Sequence, residues 1–142
     1  MKKRNASAKW KGTLKEGSGT IKLESGAFEG PYSFATRFED AKGTNPEELI
    51  GAAHAGCFSM AFSMLLEKAG YTPKEIHTRA SVTLDQVEDG FKITHILLQS
   101  EAEVPGIDEA EFQKQAEMAK KGCPVSQLLT GADIELLAVL KT

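Results

Sequence analysis

The chain has 142 residues, 41% of them hydrophobic and 26% charged, with a net charge of -3. That size and composition fit one soluble globular domain, 1–142, able to bury a substantial core. The slight negative balance argues against nucleic-acid binding by bulk electrostatics, the Lys2, Lys3, Arg4 cluster reads as a solvated terminus, and no secretory leader or membrane-spanning run is read, so a cytoplasmic address with no membrane partner is expected.

Residues 6–24 alternate in polarity and carry Gly-Ser-Gly at 17–19, which predicts a β-hairpin turning there. Residues 31–38, PYSFATRF, read as a third strand. Residues 45–69 carry the clearest helix pattern. Asn45 can cap it, Pro46 suits the first helical position, and Glu47 and Glu48 complement the dipole of the first turn. Asn45 with Glu48 resembles a capping box, and Gly70 supplies the stop. From Leu49 to Leu66 nearly every residue is apolar or small, interrupted by His54 and Ser59. A helix apolar on all sides is expected to be buried on all sides. Gly51, Ala52, Ala53, Ala55 and Gly56 allow another backbone to approach closely, and in so small a chain a second subunit can supply the second wall.

Residues 75–104 hold two long alternating stretches around Glu-Asp-Gly at 88–90, a second hairpin. Residues 108–121 read as an amphipathic helix capped by Asp108, 124–129 as a short helix, and 132–140 as a closing strand. Strands joined mainly to sequence neighbours, with few β-α-β units, favour an α+β fold with an antiparallel sheet packed on the long central helix.

The two cysteines are the chemistry-bearing residues, and their spacing is too wide for a metal or redox C-x-x-C motif. Cys57 lies mid-helix, where the dipole contributes little, and burial alone raises a thiol's pKa and leaves it inert. A reactive Cys57 therefore needs a nearby cation or hydrogen-bond donor. Arg37 is the candidate, because it ends the predicted third strand and a guanidinium stays charged when desolvated. Glu47 or Glu48 can hold it. Cys123, in Gly-Cys-Pro, falls at a helix N-cap, where unpaired N–H groups favour a thiolate. In a reducing compartment a bridge between the two would be transient and catalytic rather than structural.

Each of these residues also has a plainer reading. Cys57 can be a packed core thiol, Cys123 a turn residue before a helix, and Arg37 a surface charge. His54 lies three residues before Cys57 on a shared helix face and is a weaker candidate as its base. His77 and His95 fall in predicted strands, and no third and fourth ligand appear at close spacing, so neither a metal nor another cofactor is expected. Trp10, Met60 and Met64 read as packing.

The strings GTNPEELIGAAHAGCFSMA at 43–61, GCPVSQ at 122–127, TRFE at 36–39 and VPGID at 104–108 resemble the OsmC/Ohr family of thiol-dependent hydroperoxide reductases, closest to the OsmC branch, over nearly the whole chain in order. The resemblance implies an intertwined homodimer of α+β subunits with two active sites at the interface. It implies a peroxidatic thiol at Cys57 and a resolving thiol at Cys123. The activating arginine and glutamate carry over to Arg37 and Glu47; Glu48 is set aside because other branches carry an amide at its position. Branches of the family draw the arginine from different strands. The implied partners are a hydroperoxide and an external dithiol, which in the family can be a lipoyl-bearing protein. Apolar neighbours such as Phe58 and Met60 favour organic hydroperoxides over hydrogen peroxide. The competing class is a non-enzymatic dimer binding a small ligand or partner, its cysteines structural.

Overall fold

The computed structural model describes all residues, 1–142. In chain order the elements are β1 (Ala6–Lys11), β2 (Ser18–Leu23), β3 (Glu29–Tyr32), α1 (Phe34–Phe38), α2 (Pro46–Lys68), β4 (Glu75–Val87), β5 (Gly90–Glu103), α3 (Glu109–Gly122), α4 (Pro124–Leu128) and β6 (Asp133–Lys141). They fall into two compact units, Met1–Leu49 and Ile50–Thr142, with the boundary in the first turn of α2.

The first unit is an antiparallel sheet in the order β1-β2-β3. The β1–β2 hairpin closes across Lys11 and Ser18, so the connection is residues 12–17 and the expected Gly-Ser-Gly turn instead runs into β2. Trp10 and Tyr32 meet over the middle strand with ring centroids 5.3 Å apart and planes tilted by 59°. The expected strand at 31–38 stops at Tyr32, and the rest of it is α1. The cause is local. Ser33 accepts from the Thr36 amide at 3.2 Å while Thr36 Oγ1 accepts from the Ser33 amide at 2.8 Å, a reciprocal cap that starts a helix where alternation alone reads as strand. Arg37 therefore sits on a short helix, not at a strand end. Gly43 then carries the chain past α1 at φ +144°, where a Cβ would stand 2.7 Å from Thr36 Cγ2 and 2.9 Å from the Pro31 carbonyl. Asn45 fixes the start of α2 from both ends of its amide: Oδ1 accepts from the Glu48 amide at 2.8 Å, and Nδ2 donates to the Thr36 carbonyl at 3.0 Å. The Glu48 side chain does not close a capping box; it accepts from Thr44 Oγ1 at 3.2 Å.

The second unit carries a three-stranded sheet in the order β4-β5-β6. The β4–β5 hairpin is antiparallel and turns through Glu88 and Asp89, as the sequence predicts. The last strand departs from the antiparallel expectation: β6 runs parallel to β5, from His95 opposite Asp133 to Glu103 opposite Lys141. Parallel neighbours need a long crossover, and α3 and α4 supply it. Asp108 caps α3 by accepting from the Glu111 amide at 2.8 Å.

The core of this unit is Phe58, Phe62 and Leu66 of α2, Ile96, Leu98 and Ala102 of β5, and Phe112, Ala116 and Ala119 of α3. Phe62 meets Phe58 and Phe112 with ring centroids 5.6 and 5.4 Å away. Each fully buried phenylalanine contributes roughly 1.5–3 kcal/mol. Burial along α2 is one-sided rather than all round: Gly51, His54, Phe58, Phe62 and Leu66 are covered, while Ala52, Ala53, Gly56, Met60 and Met64 are exposed. By length and composition α2 also meets the description of a membrane span, contrary to the sequence expectation. Its buried stripe packs into this sheet-and-helix core, which makes it a core helix. It ends at Gly70, at φ +95°, where the Tyr71 amide returns to the Leu66 carbonyl at 2.9 Å.

Candidate active site

In the first unit, Arg37 and Glu47 meet. Arg37 Nε donates to Glu47 Oε1 at 3.1 Å and a terminal nitrogen to Oε2 at 2.8 Å, a bidentate pair. Glu47 is buried and Arg37 about one-third exposed. Glu47, not Glu48, holds the arginine. The guanidinium also lies 5.5 Å from the centroid of Phe38. Trp10, Tyr32, Phe34, Arg37 and Phe38 line a small cleft of about 220 Å³. Trp10, read from the sequence as packing alone, forms part of that wall.

In the second unit, the two thiols meet. Cys123 Sγ lies 2.8 Å from Cys57 Sγ, across 66 residues of chain, and both are free. A disulfide, with sulfurs about 2.05 Å apart, needs little further motion. Cys123 is fully buried at the N-cap of α4, whereas Cys57 is partly exposed. Cys57 opens on an apolar cavity of about 770 Å³, with Met60, Met64, Leu65, Met118 and Pro124 among its lining residues. Met60 is at this cavity as the sequence reading expects. Phe58 is not, being buried in the core beneath.

Burial pushes the Cys57 thiol above its ordinary pKa, and the Cys123 contact adds to the rise, first through the hydrogen bond between the sulfurs and then through repulsion between two charges so close. The backbone N–H of Val125, in the first turn of α4, donates to Cys57 and pulls the other way. The start of α4 thus serves Cys57 as well as seating Cys123. Nothing in a linear sequence reading indicates the Val125 contact, because it depends on α4 folding back across α2.

His54 is fully buried, and its Nε2 lies 2.7 Å from Ser126 Oγ. Burial lowers its pKa, so the ring is neutral near pH 7. Ser126 was missed by the sequence reading. The signal was present, since His54 stands three residues before Cys57 and Ser126 three after Cys123, but nothing in the spacing says that they meet. His77 lies on β4, and His95 on β5 pairs with Glu135 at 3.1 Å. No three His, Cys, Asp or Glu side chains converge as a metal site.

A model of OsmC-like proteins matches residues 39–136. The chain is 57% identical over 136 residues to the protein named peroxiredoxin OsmC of Escherichia coli K12, covering 95% of this chain and 94% of that one. It is 34% identical over 90 residues to the organic hydroperoxide resistance protein of Xanthomonas axonopodis pv. citri, covering 63% of this chain and 61% of that one. The fold is also that of an OsmC-like protein from Mycoplasma pneumoniae, with a TM-score of 0.77 and 22% identity over 99% of each chain. By the family model and by identity along nearly its whole length, this chain belongs to the OsmC family.

Proposed function

We propose that the chain, acting as a single domain, is a thiol-dependent peroxidase that reduces organic hydroperoxides, and hydrogen peroxide less well. The observation that carries this reading is the pair of free thiols in contact beside a methionine-lined apolar cavity. The names of the relatives in Escherichia coli and Xanthomonas support it. The Cys57 thiolate attacks the distal oxygen of ROOH, the O–O bond breaks, and the alkoxide leaves as an alcohol after taking a proton. Cys57 is left as a sulfenic acid. Cys123 condenses with it, forming the S–S bond and releasing water. An external dithiol, in the family's case one carried on a lipoyl group, then reduces the bridge by exchange. A pair that must be re-reduced every cycle suits a reducing cytoplasm.

The test is thiol loss. One equivalent of cumene hydroperoxide is expected to remove two thiols per chain rapidly. Cys123→Ser is expected to consume about one equivalent and stop as a sulfenic acid that can overoxidise, read by intact mass. Thiols that react slowly or not at all would favour a binding dimer with structural cysteines.

The partner proposed for the exposed face of α2 is a second copy of the chain. Ala52, Ala53 and Gly56 leave room there for a backbone to approach closely. Helix geometry supports a site shared between copies. Glu47 and Cys57 are ten residues apart on one unbroken helix, about 15 Å along its axis, which a glutamate side chain does not cover. Arg37 and Glu47 of one copy would then activate Cys57 of the other. Mixed dimers of Cys57→Ser and Glu47→Gln subunits decide this. A shared site regains one complete set and roughly half of wild-type activity, since activities of independent sites add. A site within one chain regains none.

A further inference from the structure

The one fully buried ionisable side chain that the peroxidase cycle leaves unused is His54. Its Nδ1 is buried with no hydrogen-bond partner, so its bond to Ser126 is the ring's only one. A leucine at this place on the buried stripe of α2 would fill the core without stranding a nitrogen. What the imidazole adds is direction: a 2.7 Å bond across 72 residues of chain, from α2 to the five-residue helix α4.

The placement of that bond is informative. His54 is three residues from Cys57, and Ser126 is three from Cys123, so the bond and the thiol contact lie about one turn apart on both partners. Cys123 is the N-cap of α4, and its own side chain makes no capping bond. Its position is set by how α4 is seated. We propose that His54 and Ser126 form a latch that seats α4 on α2 and thereby sets the approach of Cys123 to Cys57. They are positioning residues whose larger effect is on the closing of the disulfide; the Val125 amide rides on the same helix, so the attack on peroxide feels the latch to a lesser degree. The neutral ring suits the task, since one ring nitrogen can pair with a hydroxyl in either donor sense. The proposal rests on the peroxidase reading and adds to it the group that governs its second step.

Single-turnover kinetics test it, with cumene hydroperoxide as oxidant. Sulfenic acid is followed by dimedone trapping and disulfide by intact mass. Wild type comes first: if it forms no disulfide with peroxide, the peroxidase reading itself fails. If it does, Ser126→Ala is expected to form sulfenic acid with only a small slowing, from the shifted Val125 amide. Its disulfide should close on the order of tenfold to a hundredfold more slowly, as a misplaced group does. His54→Gln retains a hydrogen-bonding group toward Ser126 and is expected to recover much of the closure rate. Because Ser126→Ala strands His54 Nε2 in the core, the double variant His54→Leu with Ser126→Ala is measured beside it. Slow closure there ties the effect to the lost bond. Closure at the wild-type rate in Ser126→Ala or in the double variant overturns the latch, as does equal slowing of both steps in Ser126→Ala.

Discussion

Cys57→Ser is expected to abolish hydroperoxide reduction, leaving only the uncatalysed background. The other sulfur nucleophile of the site cannot substitute for it, because Cys123 is fully buried while Cys57 opens on the apolar cavity. A serine hydroxyl has no accessible anion near neutral pH and forms no analogue of the sulfenic acid. Serine is close to cysteine in size, so the core of Phe58, Phe62 and Leu66 should survive, and circular dichroism checks that it does. The measurement is consumption of cumene hydroperoxide with dithiothreitol as reductant. Retained turnover would place the nucleophile elsewhere.

Arg37→Ala is expected to have the next largest effect, and to show it in a pH profile. Burial and the neighbouring thiol push the Cys57 pKa up against the Val125 N–H, and the proposed guanidinium would add an opposing charge. An opposite charge at close range lowers a pKa by about 1–3 units, so its loss reduces the thiolate fraction at neutral pH roughly ten- to a thousandfold. The sign follows: the rate of the first step falls at pH 7 and recovers as pH rises toward the new thiol pKa. Stopped-flow rates of sulfenic acid formation across pH measure this. An unchanged profile would assign activation to another group. His54 is a poor choice for that role, being neutral at pH 7, which leaves the Val125 amide as the donor already in place.

The features most readable in the sequence were those whose causes are local. Helix α2 announced itself through Asn45, Pro46 and Gly70, each of which acts within one turn of where it stands. The β4–β5 hairpin did so through alternation around a two-residue turn. Residues 33–38 misled because alternation there competes with a reciprocal Ser33–Thr36 cap, and the cap won. The direction of β6 was not readable, since parallel pairing depends on how the crossover packs and not on the strand's own residues. The one-sided burial of α2 was hidden for a related reason. A helix uniformly apolar does not show which of its faces its own chain will cover. At the site, the pairing of Arg37 with Glu47 followed from the family resemblance, as did that of Cys57 with Cys123. The His54–Ser126 bond lay beyond both routes, because no local pattern and no carried-over motif joined those positions.

The route of the crossover has a consequence for how the thiol pair comes into being. Cys57 is on α2 and Cys123 is on the connection between β5 and β6, so pairing of β6 with β5 restrains the connection that carries Cys123. Parallel pairing across so long a connection is among the slower steps of folding, because the loop must close before the contacts reward it. Until the crossover has packed, the two thiols are 66 residues apart along the chain and the contact between them does not exist. Reactivity is in this sense a late product of folding: unpairing β6 is expected to loosen the connection that carries Cys123 toward Cys57.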